Sequence, residues 1–227
     1  MGYLKWDEKT ITDFSNENIN RMYNDGYVFG RPTKGFMNQT RSLRVDLSKF
    51  EMSSENKRIL RKTEDLKLKI IDLPMSDYSW EIGKLAKDFY ETKFGKGTFS
   101  ANKIKELLTT EHNFNKIFQY VIPSEAEGSL SEAQNTDNTF GYCIALKTNS
   151  ILHYSYPFYD LSQNIGMVMM VKAVKWAKEQ NKKYIYLGSA KDTKAKYKLQ
   201  FKGLEWFDGE KWSDDLDKLK DELRIKN

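Results

Sequence analysis

Residues 155–188 read SYPFYDLSQNIGMVMMVKAVKWAKEQNKKYIYLG. The pattern predicts a strand that ends near Asp160, a helix over 165–180, and a second strand that ends at Gly188. A helix between two strands is typical of a crossover connection, which joins parallel strands of one sheet. The stretch therefore predicts one crossover helix near the end of the chain.

The rest of the chain alternates between short strands and short helices. The predicted strands are 41–50, where Leu43, Val45 and Leu47 alternate with polar residues, 67–74, 114–123, and two strands within 140–159 joined by residues 148–150. The predicted helices are 52–66 capped by Ser53 or Ser54, 76–94 capped by Asp77 with Trp80 among its apolar contacts, 100–110 capped by Ser100, and an amphipathic helix within 212–227. Residues 14–40 show little periodicity, and 124–139 are expected to form a flexible loop or hairpin tip. This order predicts an α+β fold in which helices flank a mixed, largely antiparallel sheet.

Composition is that of a folded protein without a membrane-spanning segment. Of 227 residues, 39% are hydrophobic and 14% aromatic, and no apolar run approaches about 18 residues. The first residues are charged and lack the apolar core of a secretory signal. Cys143 is the only cysteine, which excludes internal disulfides and cysteine-built metal sites. We expect a cytoplasmic monomer with one domain over 1–227 and with no membrane association, metal or cofactor.

Positive charge is concentrated in two segments. Residues 172–202 hold ten lysines against two acids, and residues 57–69 hold six basic residues against two acids. Two cationic segments far apart in sequence suggest a polyanionic partner. A solvated, lysine-rich surface explains the same counts.

The start of the predicted crossover helix suits an anionic or ester-oxygen ligand. A helix N-terminus offers free N–H groups and the positive end of a dipole, and Gly166 lets a ligand approach the backbone. The spacing from Gln163 to Gly166 resembles the acyl-CoA pyrophosphate loop of GNAT acetyltransferases, with Val168 in place of the usual second small residue.

Residues 154–160, YSYPFYD, contain a proline within an alternating strand. Pro157 is expected to interrupt strand pairing and to open a cleft in the sheet. An acid and a phenol placed there could move protons. A bulge with packed tyrosines is the alternative.

Three lysines alternate along the chain at positions 194, 196 and 198. In an extended strand they would share one face, where phosphates are their natural partners and Tyr197 could stack on a base. An exposed edge strand protected by lysines is the alternative.

Together these segments resemble the C-terminal half of arginyl-tRNA–protein transferases and the related bacterial leucyltransferases. Residues 155–188 match the family's aromatic strand end, helix-opening turn and Tyr-Leu-Gly strand end, and residues 194–201 match its Lys-x-x-Tyr-Lys-x-x-Phe segment. Residues 40–66 resemble its arginine-rich strand and following helix. The resemblance covers most of 40–105 and 140–212.

The resemblance implies a GNAT-like fold and transfer of arginine or leucine from aminoacyl-tRNA to the N-terminal amine of an acceptor protein, an N-degron activity. Asp160 would orient or deprotonate the amine with Tyr159 as a proton relay, and backbone near Gly166 would stabilise the oxyanion. The expected substrate-binding residues are Arg41 and Arg44, either of which could meet an acidic acceptor residue, with Tyr156, Gln163 and Gly188. The expected tRNA-binding residues are Arg58, Arg61, Lys62, Lys194, Lys196, Tyr197 and Lys198.

The sequence departs from that family in two places. The family carries metal- or cluster-binding cysteines near its N-terminus, whereas residues 26–40 contain none, so segment 1–40 is expected to be reduced and cluster-free. Gly203 stands where the family has proline. Three alternatives remain open: an acetyltransferase that uses acetyl-CoA, a non-catalytic tRNA-binding relative, and a peptidoglycan-bridge transferase.

Overall fold

The computed structural model of the protein describes residues 4–31, 33–123 and 138–224. The strands of this part are β1 (Asp7–Thr10), β2 (Tyr27–Phe29), β3 (Phe36–Gln39), β4 (Ser42–Asp46), β5 (Lys67–Asp72), β6 (Lys116–Ile122), β7 (Asn138–Lys147), β8 (Ile151–Tyr159), β9 (Tyr184–Ser189), β10 (Leu204–Phe207) and β11 (Trp212–Ser213). Its α-helices are α1 (Asn16–Asn24), α2 (Ser54–Lys62), α3 (Trp80–Phe94), α4 (Ala101–Thr109), α5 (Gly166–Glu179) and α6 (Leu216–Glu222). Two 3₁₀ helices cover Leu161–Gln163 and Thr193–Gln200.

The α+β fold is confirmed, with a largely antiparallel sheet flanked by helices. Eight strands form the main sheet in the order β11-β10-β4-β9-β8-β7-β6-β5, and β1, β3 and β2 form a small second sheet. Every neighbouring pair of the main sheet is antiparallel except β8 and β9, which are parallel and joined by the crossover helix α5. Residues 155–188 therefore contain the one parallel connection among the described strands.

Alternating side chains of the sheet divide the core into two layers. On β9, Ile185 and Leu187 pack into one cluster with α5, whereas Tyr186 between them packs into the other cluster. Helices α2 and α6 also pack into the first cluster. Helices α1, α3 and α4 and the small sheet pack into the second. The sheet therefore has a helical layer on each face, and its central strands are buried on both sides.

Capping serines begin two of the helices where the sequence predicts them. Ser53 accepts a hydrogen bond from the Asn56 backbone N–H at 3.1 Å, and Ser100 accepts one from Lys103 at 3.2 Å. The Asp77 cap is wrong, because α3 begins only at Trp80 and the Asp77 carboxylate accepts from the Ser76 hydroxyl.

Trp80 was expected to pack against the core, and this too is wrong, since 67% of it is exposed. Residues 14–40 form α1, β2 and β3, although they lack an obvious period over their full length. Of the expected loop 124–139, Asn138 and Thr139 belong to β7, and 124–137 lie outside the described residues.

The expected extended strand around Lys194, Lys196 and Lys198 is also wrong. Residues Thr193–Gln200 form a 3₁₀ helix, which the Asp192 side chain caps by accepting from the Lys194 N–H at 2.8 Å. Ala195 is buried against the core, so the chain turns around it. The three lysines consequently point in different directions instead of sharing one face.

Candidate active site

The sheet opens between β8 and β9. Their parallel pairing runs from Ile151↔Tyr184 to His153↔Tyr186 and then stops, although β8 continues to Tyr159 and β9 to Ser189. We call the opening beyond this last pair the crevice. Its position differs from the expectation, because Pro157 itself stays in register with Cys143 on β7 and the break lies on the other side of β8.

The amine of Lys198 lies in the crevice. Lys198 Nζ donates to the carbonyl oxygen of Leu187 at 2.7 Å and to that of Ser189 at 3.3 Å. Burial lowers the pKa of this amine to about 8. The sequence analysis assigned Lys198 to an outer phosphate-binding face, whereas the structure turns it inward between the strands.

Gly188 lies beside that amine. Its φ of +76° lies in the left-handed region that favours glycine. A Cβ at this position would lie 3.6 Å from Lys198 Nζ, and nothing else lies within 4 Å of it. The expected substrate-binding residue Gly188 therefore borders the crevice beside Lys198.

A buried hydrogen-bond network fixes the point where the strands part. The Phe29 backbone N–H donates to the Tyr23 hydroxyl at 3.3 Å, and that hydroxyl lies 2.8 Å from His153 Nδ1. Burial and the nearby charge of Lys198 lower the pKa of His153 to about 3, so the imidazole that is hydrogen-bonded to Tyr23 is neutral. The edge of Tyr23 also contacts Tyr186 at 4.9 Å between ring centroids. These contacts form a rigid floor under the crevice.

The structure brings Tyr159 and Gly166 together at the mouth of the crevice. A Cβ on Gly166 would lie 2.4 Å from the Tyr159 hydroxyl, so a larger residue at this position would require the ring to shift. The Tyr159 ring packs on Phe89 at 4.7 Å, and partial burial raises its pKa. The free N–H groups of the first turn of α5 therefore start beside a phenol.

Asp160 and Gln163 lie on the rim. The Asp160 carboxylate accepts from the Ser162 N–H at 2.9 Å and so begins the first 3₁₀ helix. Gln163 donates to the Ser162 hydroxyl at 3.3 Å. Both side chains are exposed. Asp160 directly follows Tyr159 in the chain, but its carboxylate faces solvent, whereas Tyr159 is half-buried.

Tyr197 lies on the other side of the mouth. Its ring is 48% exposed, while burial of the hydroxyl end and the nearby Tyr159 raise its pKa to about 12. Three residues after Tyr197 in the second 3₁₀ helix, Gln200 Nε2 lies 3.2 Å from the Met167 sulfur of α5. The second 3₁₀ helix therefore sits against the start of α5 and places Tyr197 beside Tyr159.

The two expected substrate-binding arginines, Arg44 in β4 and Arg41 just before it, already have acidic partners. Arg44 is buried, forms an ion pair with Glu205 at 2.8 Å, and lies between the rings of Tyr184 and Trp212. Arg41 pairs with Glu222 of α6. Both guanidinium groups are therefore already engaged with a carboxylate, although the buried Nε of Arg41 has no partner among the described residues.

Sequence reasoning missed a third arginine, Arg31, which lies close to β8 beyond the split. Its guanidinium carbon lies 4.3 Å from the Phe99 ring centroid and 5.6 Å from that of Tyr156, and it forms no ion pair with a carboxylate of the described residues. The Arg31 guanidinium thus lies near the ring of Tyr156, an expected substrate-binding residue, on the face of the sheet that α3 covers. Arg31 follows Gly30 just after β2, and the lack of an acidic neighbour in sequence is its only signal.

The chain just before α2 contacts the end of the second cationic segment. The Phe50 ring before α2 contacts Phe201 after the second 3₁₀ helix at 6.3 Å, and Lys202 forms an ion pair with Glu51 at 2.6 Å. Five of the exposed cations of the two cationic segments, which we call the basic face, are Arg58, Arg61, Lys62, Lys194 and Lys196. Arg58 also pairs with Glu55 on its own helix. A cleft of about 500 Å³ is lined by Met52, Ser54, Lys57, Leu60 and Arg61.

The remaining features concern metal, membrane and thiol chemistry. Within residues 4–31, 33–123 and 138–224, no group of three His, Cys, Asp or Glu side chains is arranged to hold a metal ion. The same residues contain no helix that combines the length and the apolar character needed to cross a bilayer. Cys143 is buried, and burial raises the pKa of its thiol well above its usual value, so it does not offer a thiolate nucleophile.

Comparison with known proteins points to aminoacyl transfer. No protein-family model matches the chain. It is similar to the curated aspartate/glutamate leucyltransferase of Saccharophagus degradans, with 21% identity over 75% of this chain and 69% of that protein. The protein of the same name from Dinoroseobacter shibae is 23% identical over 90% of this chain and 72% of its own length. These similarities support an aminoacyltransferase.

The solved structures that resemble this chain share less sequence identity with it than the curated relatives do. The structure of L-PGS from Bacillus licheniformis has a TM-score of 0.46 and 14% identity, and FemX has a TM-score of 0.42 and 9% identity. Each match covers 78% of this chain, but only 52% of the L-PGS chain and 60% of the FemX chain. This chain therefore spans about half the length of the first of these structures.

Proposed function

We propose that this protein transfers an aminoacyl group, arginine or leucine, from tRNA to the N-terminal amine of an acceptor protein. The observation that carries the proposal is the Lys198 amine, which lies in the crevice where β8 and β9 part, next to the basic face. Similarity to curated leucyltransferases supports the same class of reaction. The parallel pair joined by α5 supports a GNAT-like assignment of the fold.

The reaction is aminolysis of an ester. The acceptor's amine attacks the ester carbonyl carbon, a C–N bond forms, the C–O bond to the ribose breaks, and the proton lost by the amine ends on the ribose hydroxyl. An N-terminal amine has a reference pKa of about 7.7–8.0, so a useful fraction is already neutral near neutral pH. The ester is already activated. The protein therefore has to position the two reactants and stabilise the oxyanion of the tetrahedral intermediate.

Two groups can stabilise that oxyanion. One is the set of free N–H groups at the start of α5 near Gly166, and the other is the Lys198 ammonium, which is the dominant form below its pKa of about 8. Tyr159, which lies against Gly166, can relay a proton. Asp160, on the rim, can orient the incoming amine through its carboxylate. In this assignment Lys198 leaves the tRNA-binding set and joins the reacting groups.

An acidic first residue on the acceptor would find its counter-ion in Arg31. The names of the curated relatives specify aspartate and glutamate, which motivates an acidic acceptor here. Arg31 offers a fork of donors that fits a carboxylate, and its neighbours in the described chain are the rings of Phe99 and Tyr156. Arg41 and Arg44 are less suited to this role, because they already form ion pairs with Glu222 and Glu205.

The basic face would hold the acceptor stem of the tRNA. Lys194 and Lys196 are exposed on the second 3₁₀ helix, and neither forms an ion pair with a carboxylate of the described residues. Arg61 and Lys62 are exposed at the end of α2. Phosphates neutralised by such cations release counterions, which gives salt-dependent affinity without sequence specificity.

The proposal is tested by incubating the protein with charged tRNAs and short peptides that differ in their first residue. We expect the mass of one leucine or one arginine to be added at the N-terminus of peptides that begin with aspartate or glutamate. A parallel reaction with acetyl-CoA tests the acetyltransferase alternative. No added mass from any charged tRNA, or an added acetyl group, would remove the proposal.

A further inference from the structure

The C-terminal end of α3 carries an exposed aromatic ring between two lysines. Phe94 is the last residue of α3 and is 63% exposed, and Lys93 and Lys96 on either side of it are exposed as well. Neither lysine forms an ion pair with a carboxylate of the described residues, since Glu91 faces Lys87. An exposed ring between unpaired cations has the chemistry that a flat, anionic ligand requires.

The backbone after Phe94 is open. Gly95 and Gly97 have φ values of +98° and +78°, and a Cβ at either position would meet no atom within 4 Å. Their conformation favours glycine, and no atom of the described residues occupies the space where a Cβ would lie. A ligand can therefore lie close to the chain beside the Phe94 ring.

Ring contacts connect Phe94 to the mouth of the crevice. Phe94 is stacked on Tyr90 at 5.8 Å with an interplanar angle of 29°, and its centroid lies 6.5 Å from that of Phe89. Phe89 in turn contacts Tyr159 at 4.7 Å, and Tyr159 covers Gly166 at the start of α5. Tyr90 is tied to β8 through a hydrogen bond to the Pro157 carbonyl oxygen at 3.1 Å. Phe94 is thus the exposed end of an aromatic row that begins at the candidate reaction site.

We propose that Phe94, with Lys93 and Lys96, is a stacking platform for unpaired bases at the 3′ end of the aminoacyl-tRNA donor. Every tRNA carries its aminoacyl ester on a single-stranded end, so the bases next to the ester must lie near the crevice mouth while the paired stem lies on the basic face. Exposed rings flanked by lysines bind single-stranded nucleic acid by stacking and phosphate contact, with little sequence preference. The inference rests on the proposed function, because only a tRNA-borne ester places unpaired bases there.

The test compares two RNA hairpins that mimic an acceptor stem, one ending in single-stranded ACCA and one blunt. With Phe94→Ala, binding of the tailed hairpin should weaken by about fivefold to a hundredfold, whereas binding of the blunt hairpin should not change. Phe94→Trp should restore the tailed hairpin's affinity, since any large ring can stack. A fluorescent purine at the 3′ end should be quenched by the wild-type protein and not by Phe94→Ala.

The matched control is Trp80→Ala. Trp80 is the first residue of α3 and is also strongly exposed, but it lies about 20 Å away along the helix, so its loss should leave both affinities unchanged. Equal weakening of both hairpins by Phe94→Ala, or a change confined to the KM of the acceptor peptide, would overturn the platform. Transfer that proceeds normally in Phe94→Ala would leave the proposed function standing and remove only the platform. If hairpin binding depends on the Phe94 ring but no aminoacyl transfer is observed, the platform stands and the proposed function is removed.

Discussion

Lys198 Nζ lies 2.7 Å from the carbonyl oxygen of Leu187, the first residue of β9 beyond its last pair with β8. The same amine reaches the Ser189 carbonyl oxygen at 3.3 Å. A side chain therefore satisfies backbone acceptors that β8 leaves unpaired. Where the sheet opens, it presents a partly buried ammonium instead of bare peptide groups.

Lys198 should titrate well below the other lysines. Burial disfavours its charged form, so its pKa falls to about 8 from a reference near 10.4. NMR of side-chain-labelled lysine should show one resonance that titrates near pH 8 and disappears in Lys198→Met. Between pH 8 and about 10.4 the unfolded chain holds more protons at this group than the folded chain, so the free energy of unfolding of the wild type should rise with pH relative to Lys198→Met. Titration of every lysine near its reference value would contradict this.

Gly166→Ala should disturb the mouth of the crevice. The new Cβ would lie 2.4 Å from the Tyr159 hydroxyl and 2.7 Å from the ring carbon that bears it, so the ring must shift. We expect a loss of about 1–3 kcal/mol in the free energy of unfolding, measured by denaturant titration, together with slower transfer. Tyr159→Phe removes the nearest atom, so the double variant should lose less than the sum of the two single variants. Strict additivity would show that the two residues do not press on each other.

Arg31→Met should change the choice of acceptor. Removal of a charge-assisted hydrogen bond should raise the KM for peptides that begin with aspartate by about tenfold to a hundredfold, because a hydrogen bond to a charged group contributes roughly 1.5–3 kcal/mol. Peptides that begin with asparagine serve as the control and should change little. Steady-state kinetics on the two peptide series measures the difference. Equal losses for both series would show that Arg31 only packs on Phe99 and Tyr156.

The basic face should set the salt dependence of tRNA binding. Replacing Lys194 and Lys196 by alanine should weaken binding and reduce the slope of log K against log salt by about 0.7–0.9 for each phosphate that the protein no longer neutralises. The double variant Arg21→Ala, Lys84→Ala removes two exposed cations from α1 and α3, in the opposite layer, and should leave the slope unchanged. Filter binding at several salt concentrations provides both slopes. An identical slope in the Lys194, Lys196 variant would exclude those residues from the interface.

Much of the fold could be predicted from local pattern. The strands around Leu43 and within 140–159, the helix capped by Ser53, and the crossover helix all follow from alternation, caps and period, because each element buries a regular face. The elements of 14–40 escape prediction because α1 shows only one short apolar face, at Ile19, Met22 and Tyr23, among many polar residues. The basic segment alternates like a strand, but its Asp192 cap favours a helical turn instead.

The candidate site was only partly predictable, since it depends on long-range contacts. The sequence pattern indicated the turn before α5, and the family resemblance gave roles to Tyr159 and Gly166 without predicting that they touch. It could not show that Arg44 pairs with Glu205 and Arg41 with Glu222, because each ion pair joins residues far apart in the chain. For the same reason it could not show that Lys198 turns inward to β9.

The central claim is that aminoacyl transfer takes place in the crevice at Lys198. Single-turnover transfer from charged tRNA to an aspartate-first peptide, measured for the wild type and Lys198→Met together with tRNA affinity in the same samples, tests it most directly. We predict that Lys198→Met slows transfer by about a hundredfold or more, because one oxyanion donor is removed, while tRNA affinity stays within about twofold and the protein remains folded. Transfer at the wild-type rate in Lys198→Met, or loss of activity that follows loss of tRNA binding alone, would contradict the account.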